Sequence, residues 1–323
     1  MDQVQELKSR VAVIDCGTNT FNLLIAETVN GGSWTPVFKN KIPVKLAPSH
    51  TTGLIGKNRF ARGVDALYSH KNNLINMDVD AYAIYATSAI RDSGNGPEFV
   101  EHVKKELALE IRVICGDEEA ELIFEGVKQT LCGNEETFVI VDIGGGSVEF
   151  IIANQDGPLW QKSLALGVSR LKGKFQPDDP LPEDTVMQVQ KYLDDELDDV
   201  FERIHSLNVQ TLIGSSGSFD TLEQMIAIAK GIKRQVPGSQ NSELDLVYFD
   251  ELKNKLLKAN LFERTAMPGM LPMRADMINF AVIFIDLILK KGGIKHMLHC
   301  NYALKEGAIQ RLINELNQIE TLS

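Results

Sequence analysis

A chain of 323 residues with 44% hydrophobic and 24% charged side chains is long enough for two ordinary domains and carries no low-complexity tract. Its net charge of −11, from 44 acidic against 33 basic residues, argues against nonspecific nucleic-acid binding, so any polyanion must be held by locally concentrated lysine and arginine. The N-terminus lacks a secretory pattern, and the longest apolar run, Ile278 to Leu289, is interrupted by Asn279 and Asp286 and too short for a bilayer, so no membrane partner and a cytoplasmic location are expected.

In chain order, apolar alternation predicts strands at 11–16, 20–28 and about 34–43, then a helix through Lys57 to Asn76. Ala81 to Thr87 reads as a strand, Pro97 to Leu107 as a helix with proline in its first turn, Ile111 to Ile114 as a short strand and Asp117 to Gln129 as an acidic-starting helix. Residues 130–137 read as an exit. From Phe138 the plan restarts with a hairpin, a third strand at Trp160 to Leu166, a proline-rich loop at 177–182, and one long helix from Glu183 to His205. Val209 to Ile213 is a strand, and Gly214-Ser215-Ser216-Gly217-Ser218 opens the helix after it.

The restart is visible residue by residue. Val13-Ile14-Asp15-Cys16-Gly17-Thr18-Asn19-Thr20 returns as Ile140-Val141-Asp142-Ile143-Gly144-Gly145-Gly146-Ser147, each copy being an apolar strand, Asp, x, Gly, a tight turn and a hydroxyl before a second apolar strand. Glycine permits positive φ and close backbone approach, so N–H groups can converge on an anion while Thr or Ser adds a donor. The Asp before the turn cannot itself hold phosphate; its natural partner is Mg²⁺, which takes one or two carboxylates and fills its other positions with water and phosphate oxygens. A single copy is equally an ordinary hairpin; two matching copies favour phosphate binding. Two sheets with a shared βββαβα order predict duplicated domains with a cleft between them.

Glu118, Glu119, Glu121 and Glu125 crowd the start of one helix, where the dipole alone would favour carboxylates. Helical spacing puts Glu118, Glu121 and Glu125 on one face and Glu119 off it. Arg91, after Ser88, is a candidate phosphate ligand of weak specificity. Gly214, Ser215, Ser216 and Gly217 read either as further ligand contacts or as a strand-to-helix turn with a serine N-cap. The Gly-x-x-x-x-Gly-Lys-Ser/Thr pattern is absent, which excludes a Walker-type ATPase. Lys39, Lys41 and Lys45, then Arg59 and Arg62, then Arg170, Lys172 and Lys174 are candidate basic patches. Cys16, Cys115, Cys132 and Cys300 form no Cys-x-x-Cys pair and read as small buried hydrophobes, and His296, His299 and Cys300 lack a second cluster for zinc.

Assembled, these motifs resemble the exopolyphosphatase and guanosine pentaphosphate phosphatase family, within the actin, Hsp70 and sugar-kinase superfamily. Asp15-Cys16-Gly17-Thr18-Asn19-Thr20 is similar to the family's first phosphate loop, and Val141 to Glu149 to its second. Ala86-Thr87-Ser88-Ala89-Ile90-Arg91 is similar to Ala-Thr-Ser-Ala-x-Arg. Cys115 to Ala120 resembles Ser-Gly-x-Glu-Glu-Ala, in which the Glu before Ala is the catalytic base; the resemblance carries that role onto Glu119. Arg274-Ala275-Asp276-Met277-Ile278 and Leu304-Lys305-Glu306-Gly307 resemble two later elements. Family members commonly carry Arg where Asn22 stands, so one phosphate grip is missing or supplied elsewhere.

The resemblance implies an α/β fold of duplicated ribonuclease-H-like, actin-like ATPase domains, each a mixed five-stranded sheet flanked by helices. Expected bounds are 1–130 and 131–302, with a terminal helix at about 303–323 packing on the first domain. The implied activity is Mg²⁺-dependent release of the terminal phosphate from inorganic polyphosphate, with guanosine pentaphosphate as the second substrate; a homodimer is compatible with the sequence. Gly17, Thr18, Asn19, Thr20, Gly144, Gly145, Gly146 and Ser147 would bind phosphate, Asp142 and Glu149 with Asp15 would hold the metal, and Glu119 and Arg91 would be catalytic, with Ser88 nearby. A kinase on the same fold would need an adenosine pocket around Gly214 to Ser218, and a nucleotide sensor would lack a working base.

Overall fold

The computed structural model describes residues 9–29, 32–131, 136–232 and 241–322. It divides into two compact units, Met1–Gly126 with Leu304–Ser323, and Val127–Ala303. Cys132 and residues 133–135 of the predicted exit segment lie outside the described residues.

The first unit runs β1 (Arg10–Cys16), β2 (Thr20–Val29), β3 (Ser33–Pro43), α1 (Lys57–Asn76), β4 (Ala81–Ala86), α2 (Ser88–Arg91), α3 (Gly96–Leu107), β5 (Arg112–Val113) and α4 (Gly116–Lys128). Its sheet has the order β3-β2-β1-β4-β5, antiparallel across β3, β2 and β1 and parallel across β1, β4 and β5. Val11 to Ile14 of the central β1 are wholly buried, as expected of a strand covered on both faces. The inward stripe of α1 is Gly63, Ala66, Leu67, His70 and Leu74, one face at helical spacing. His70 donates to or accepts from the Phe21 carbonyl at 3.2 Å, and burial pulls its pKa down.

The second unit runs β6 (Phe138–Ile143), β7 (Val148–Ala153), β8 (Pro158–Leu164), α5 (Val168–Phe175), α6 (Glu183–Glu196), α7 (Asp198–Ser206), β9 (Thr211–Ser215), α8 (Ser216–Ala229), β10 (Asn241–Glu243), α9 (Leu246–Lys258), α10 (Leu261–Ala266), α11 (Ile278–Lys291) and β11 (His296–Cys300). Its sheet has six strands, β10-β11-β9-β6-β7-β8, where five are expected. The extra edge strand β10 is Asn-Ser-Glu, too short and polar to carry an alternation signal. The long helix expected over 183–205 is two, α6 and α7, parted at Leu197 with φ −102° and ψ 8°. Asp194/Asp198 and Asp195/Asp199 are like charges four apart, which oppose continuity, while a new N-terminus at Asp198 and Asp199 welcomes both acids. The apolar run at 278–289 is α11, buried from Ile278 to Ile288, and among the described residues no helix is long and apolar enough to cross a membrane.

The last helix, α12 (Leu304–Leu322), returns to the first unit and packs on β1, β2 and β4. A Cβ on Gly307 would stand 1.9 Å from the Leu122 carbonyl, so only glycine lets α12 lie this close to α4.

Candidate functional site

Each unit closes its first hairpin the same way. The N–H of Gly17 donates to the Thr20 carbonyl at 3.2 Å, and that of Gly144 to the Ser147 carbonyl at 3.0 Å. A Cβ at Gly17 or Gly144 would lie 3.1 or 2.9 Å from those same oxygens. None of Gly17, Gly144, Gly145 and Gly146 has positive φ; of the two freedoms glycine offers, Gly17 and Gly144 use close approach.

In both units the segment beyond the third strand aims the turn. After β3, Val44 and Lys45 donate their N–H groups to the Asn19 carbonyl at 2.9 and 3.1 Å, and Leu46 donates to Thr18 at 2.7 Å. After β8, Gly167 donates to the Gly146 carbonyl at 3.3 Å, Val168 to Gly144 at 3.1 Å and Ser169 to Gly145 at 2.8 Å, with Arg170 Nε adding a bond to Gly146 at 2.7 Å. A trans peptide carries its N–H opposite its C=O. With the carbonyls turned to the buttress, the N–H groups of Asn19 and Thr20, and of Gly145, Gly146 and Ser147, face the other way. That is the geometry of an anion cradle. Gly167 is integral to it, because its Cβ would meet Gly145 and Gly146 backbone at 2.4 Å. Gly167→Ala should therefore displace the second turn and lower the melting temperature, the overpacking strain being about 1–3 kcal/mol; a thermal melt reads it.

The carboxylates beside the turns sit differently in the two units. Asp142 and Glu149 are direct cross-strand partners, both buried. Asp142 Oδ2 accepts from Ser215 Oγ at 3.2 Å and Ser216 Oγ at 2.7 Å, and Glu149 Oε1 from Ser163 Oγ at 2.8 Å. Like charges in direct opposition are destabilising unless cations offset them, and Arg274, which interacts electrostatically with Asp142, is one such charge. Two hard oxygen ligands suit Mg²⁺, and among the described residues no group of three His, Cys, Asp or Glu side chains forms a fuller metal cage. In the first unit the equivalent partners are Asp15 and Asn22, and Asn22 Nδ2 donates to Asp15 Oδ2 at 2.9 Å. Asp15 faces a neutral amide there, so the like-charge argument singles out the Asp142 and Glu149 pair.

Glu119 is buried in the first turn of α4, its Oε2 2.9 Å from Arg91 Nη1, which also donates to the Ile114 carbonyl at 3.0 Å. Burial of Arg91 lowers its pKa, but Glu119 and Asp92 outweigh that and the net shift is upward. The other glutamates face elsewhere. Arg311 of α12 meets Glu118 at 3.3 Å, Glu121 at 3.7 Å and Glu125 at 2.8 Å, and Arg112 meets Glu118 at 2.6 Å. Ser88 is buried with its hydroxyl 3.1 Å from Thr18 Oγ1, so it adjoins the first turn.

At the β9–α8 junction, Ser215 makes no N-cap bond and donates to Asp142 instead. A Cβ on Gly214 would fall 2.0 Å from the Phe219 ring, and one on Gly217 2.0 Å from Arg274 Nη2. These glycines make room for Phe219 and Arg274. Arg274, named in the sequence without a role, is half-buried within the electrostatic reach of Asp220 and Asp142, its Nε buried without a hydrogen-bond partner. Desolvation pulls its pKa down against the pull of both carboxylates. No spacing rule could have paired it with Gly217.

Of the remaining candidates, His299 Nε2 meets Asp220 at 3.0 Å while His296 is exposed, and Cys16 and Cys300 are buried while Cys115, expected to be buried, is exposed just ahead of α4. In the third basic patch, Lys172 pairs with Asp276 and Lys174 lies 4.4 Å over the Tyr192 ring.

Residues 24–316 match the Ppx/GppA phosphatase family. The chain is 26% identical over 310 residues to exopolyphosphatase 1 of Mycobacterium leprae (strain TN), covering 94% of this chain and 90% of that one. It is 27% identical over 316 residues to exopolyphosphatase 1 of Mycobacterium tuberculosis H37Rv, covering 94% and 88%. The crystal structure of an exopolyphosphatase from Cytophaga hutchinsonii superposes with a TM-score of 0.91 at 34% identity, over 95% of this chain and 98% of that one. The Aquifex aeolicus member of the Ppx/GppA family shares the fold, with a TM-score of 0.78 at 23% identity over 96% and 99%.

Proposed function

The chain belongs to the Ppx/GppA phosphatase family, and on that footing we propose that it is a Mg²⁺-dependent exopolyphosphatase, releasing the terminal phosphate of inorganic polyphosphate. The observation that carries the reading is the repeated turn: in each unit the segment after the third strand takes up turn carbonyls and thereby presents N–H groups for an anion. The turns at Gly17 to Thr20 and Gly144 to Ser147 bind phosphoryl oxygens. Glu119 takes a proton from water as the water oxygen bonds to phosphorus and the bond to the leaving phosphate breaks. Arg91 neutralises charge on the phosphate chain, and Arg274 adds a second half-buried guanidinium near Asp142. Phosphoryl transfer asks little covalent work of the protein beyond this positioning and electrostatics. Asp142 and Glu149 would hold Mg²⁺, which when bound supplies positive charge against phosphate oxygens.

Phosphate release from long-chain polyphosphate and from guanosine pentaphosphate, measured side by side with Mg²⁺ and with EDTA, tests this. Release from polyphosphate that EDTA abolishes is the expected result, with oxygen from labelled water in the product. Faster release from the nucleotide would reassign the substrate, and activity indifferent to EDTA would remove the metal.

A further inference from the structure

Across the second sheet the chain places four polar side chains in one register row: Ser163 of β8 opposite Glu149 of β7, Glu149 opposite Asp142 of β6, and Asp142 opposite Ser215 of β9. Direct partners across a sheet share a face, so the two buried carboxylates lie between two serine hydroxyls. The corresponding row of the first unit reads Lys41, Asn22, Asp15 and Tyr85, with one carboxylate and no serine.

Ser216, the residue after the row, adds a third hydroxyl. Its Oγ donates to Asp142 Oδ2 at 2.7 Å, against 3.2 Å for Ser215 on the same oxygen. The shorter distance is that of a charge-assisted bond. Because both donors act on Oδ2, they fix the rotation of the carboxylate and with it the direction of Oδ1.

The backbone at Ser216 is unusual for its place. Its φ of 70° lies in the left-handed region. Among the described residues six non-glycines share that region, and four of them, Asp78, Ala108, Gln176 and Asn208, follow the ends of helices, where a left-handed residue is the usual stop. Ser216 instead begins a helix, α8, so helix termination does not account for it. Gly214 and Gly217 stand within two residues of it, and neither has positive φ. The one position of the turn at which glycine would be free of strain therefore carries serine. Strain of this kind persists where surrounding contacts over-determine it, and the contact here is the bond to Asp142.

We propose that Ser216 is a positioning residue for the metal: its hydroxyl, delivered by a strained backbone, sets the carboxylate of Asp142 in the orientation that binds Mg²⁺. The proposal rests on the reading that Asp142 and Glu149 hold the ion, and adds the residue that prepares the site for it. Loss of such a partner of a ligating carboxylate typically weakens metal binding or activity by about 10–100-fold.

The test uses Mg²⁺ alone, without substrate. Wild-type, Ser216→Ala and Ser216→Gly proteins are melted in EDTA and across a Mg²⁺ titration. Both substitutions delete the hydroxyl, but only glycine also releases the left-handed strain. The expected result separates stability from binding. In EDTA the glycine variant melts above the alanine variant, whereas the two share a weakening of Mg²⁺ binding of about 10–100-fold, read from the ion concentration needed for equal stabilisation. Phosphate release from polyphosphate should follow the metal and not the melting temperature, its Mg²⁺ dependence moving up by the same factor and most of the rate returning when the ion is saturating. A serine that only holds the β9–α8 turn would give another pattern, with Mg²⁺ binding recovering as glycine recovers stability, and that overturns the proposal. A glycine variant melting no higher than the alanine variant overturns the strained delivery of the hydroxyl. If wild-type protein is itself not stabilised by Mg²⁺, the metal reading of Asp142 and Glu149 fails and takes the proposal with it; if wild type is stabilised and both variants bind within about twofold of it, the proposal alone falls.

Discussion

Glu119→Gln should lower kcat for phosphate release by about 10²–10⁴ while leaving KM within a few-fold of wild type, the loss expected when a general base is replaced by an isostere that cannot take a proton. Glutamine keeps the shape and one acceptor for Arg91 Nη1, which stands 2.9 Å from Glu119 Oε2, so the fold around α4 should survive. A melting temperature close to wild type is part of the expected result. The other acids of α4 supply the control. Glu118→Gln removes a carboxylate engaged with Arg112 and Arg311, and Glu125→Gln one engaged with Arg311, so either should cost stability through lost ion pairs and leave kcat nearly intact. Exposed or half-buried pairs of this kind are worth about 0.2–1 kcal/mol each. If Glu119→Gln turns over at the wild-type rate, Glu119 is not the base; if Glu118→Gln falls as far, the acidic cluster acts through stability instead.

Why the sequence exposed this residue and hid others lies in the dependence of each signal. Helical spacing alone separated Glu119 from Glu118, Glu121 and Glu125, because position on a helix surface is fixed by 3.6 residues per turn, and Arg311 does meet the three and not the one. α1 begins and ends at the expected residues, and its buried stripe from Gly63 to Leu74 keeps one face at helical spacing. The doubled hairpin was legible because the same strand, Asp, glycine and hydroxyl were written twice. The buttress of each turn was not, even though it too is doubled: Val44 to Leu46 and Gly167 to Ser169 act through backbone N–H groups, which leave little mark on side-chain identity. Only Gly167 betrays its role, and its reason, a Cβ colliding with Gly145 and Gly146, exists only once the chain is folded. Arg274 was hidden for a similar reason. Its place is made by the absent side chain of Gly217, a contact between distant segments. The helix α5 leaves no periodic signal in the sequence because it is only eight residues long and three of them, Arg170, Lys172 and Lys174, are basic.

The second large effect is expected at Glu149. Glu149→Gln should abolish most Mg²⁺-dependent phosphate release, by about two orders of magnitude or more, while the protein without metal becomes at least as stable as wild type. Both outcomes come from one feature of the sheet. Glu149 and Asp142 oppose each other directly across β7 and β6, both buried, with hydroxyl donors from Ser163 on one and Ser215 and Ser216 on the other. Burial raises the cost of each negative charge, and direct opposition adds repulsion to it. A neutral amide in place of one carboxylate removes the repulsion and still accepts from Ser163. The first unit already carries that solution, since Asn22 stands opposite Asp15 and donates to it at 2.9 Å. Thermal melts with and without Mg²⁺ separate the contributions: wild type should gain stability on adding the ion, as any ligand binding only the folded state provides, and Glu149→Gln should gain much less. The corresponding change in the first unit, Asn22→Asp, should lower stability without metal, because it recreates opposed carboxylates beside Asp15. If Glu149→Gln instead melts well below wild type in EDTA, the pair is a structural network satisfied by its hydroxyl partners, and a metal-holding role for it falls.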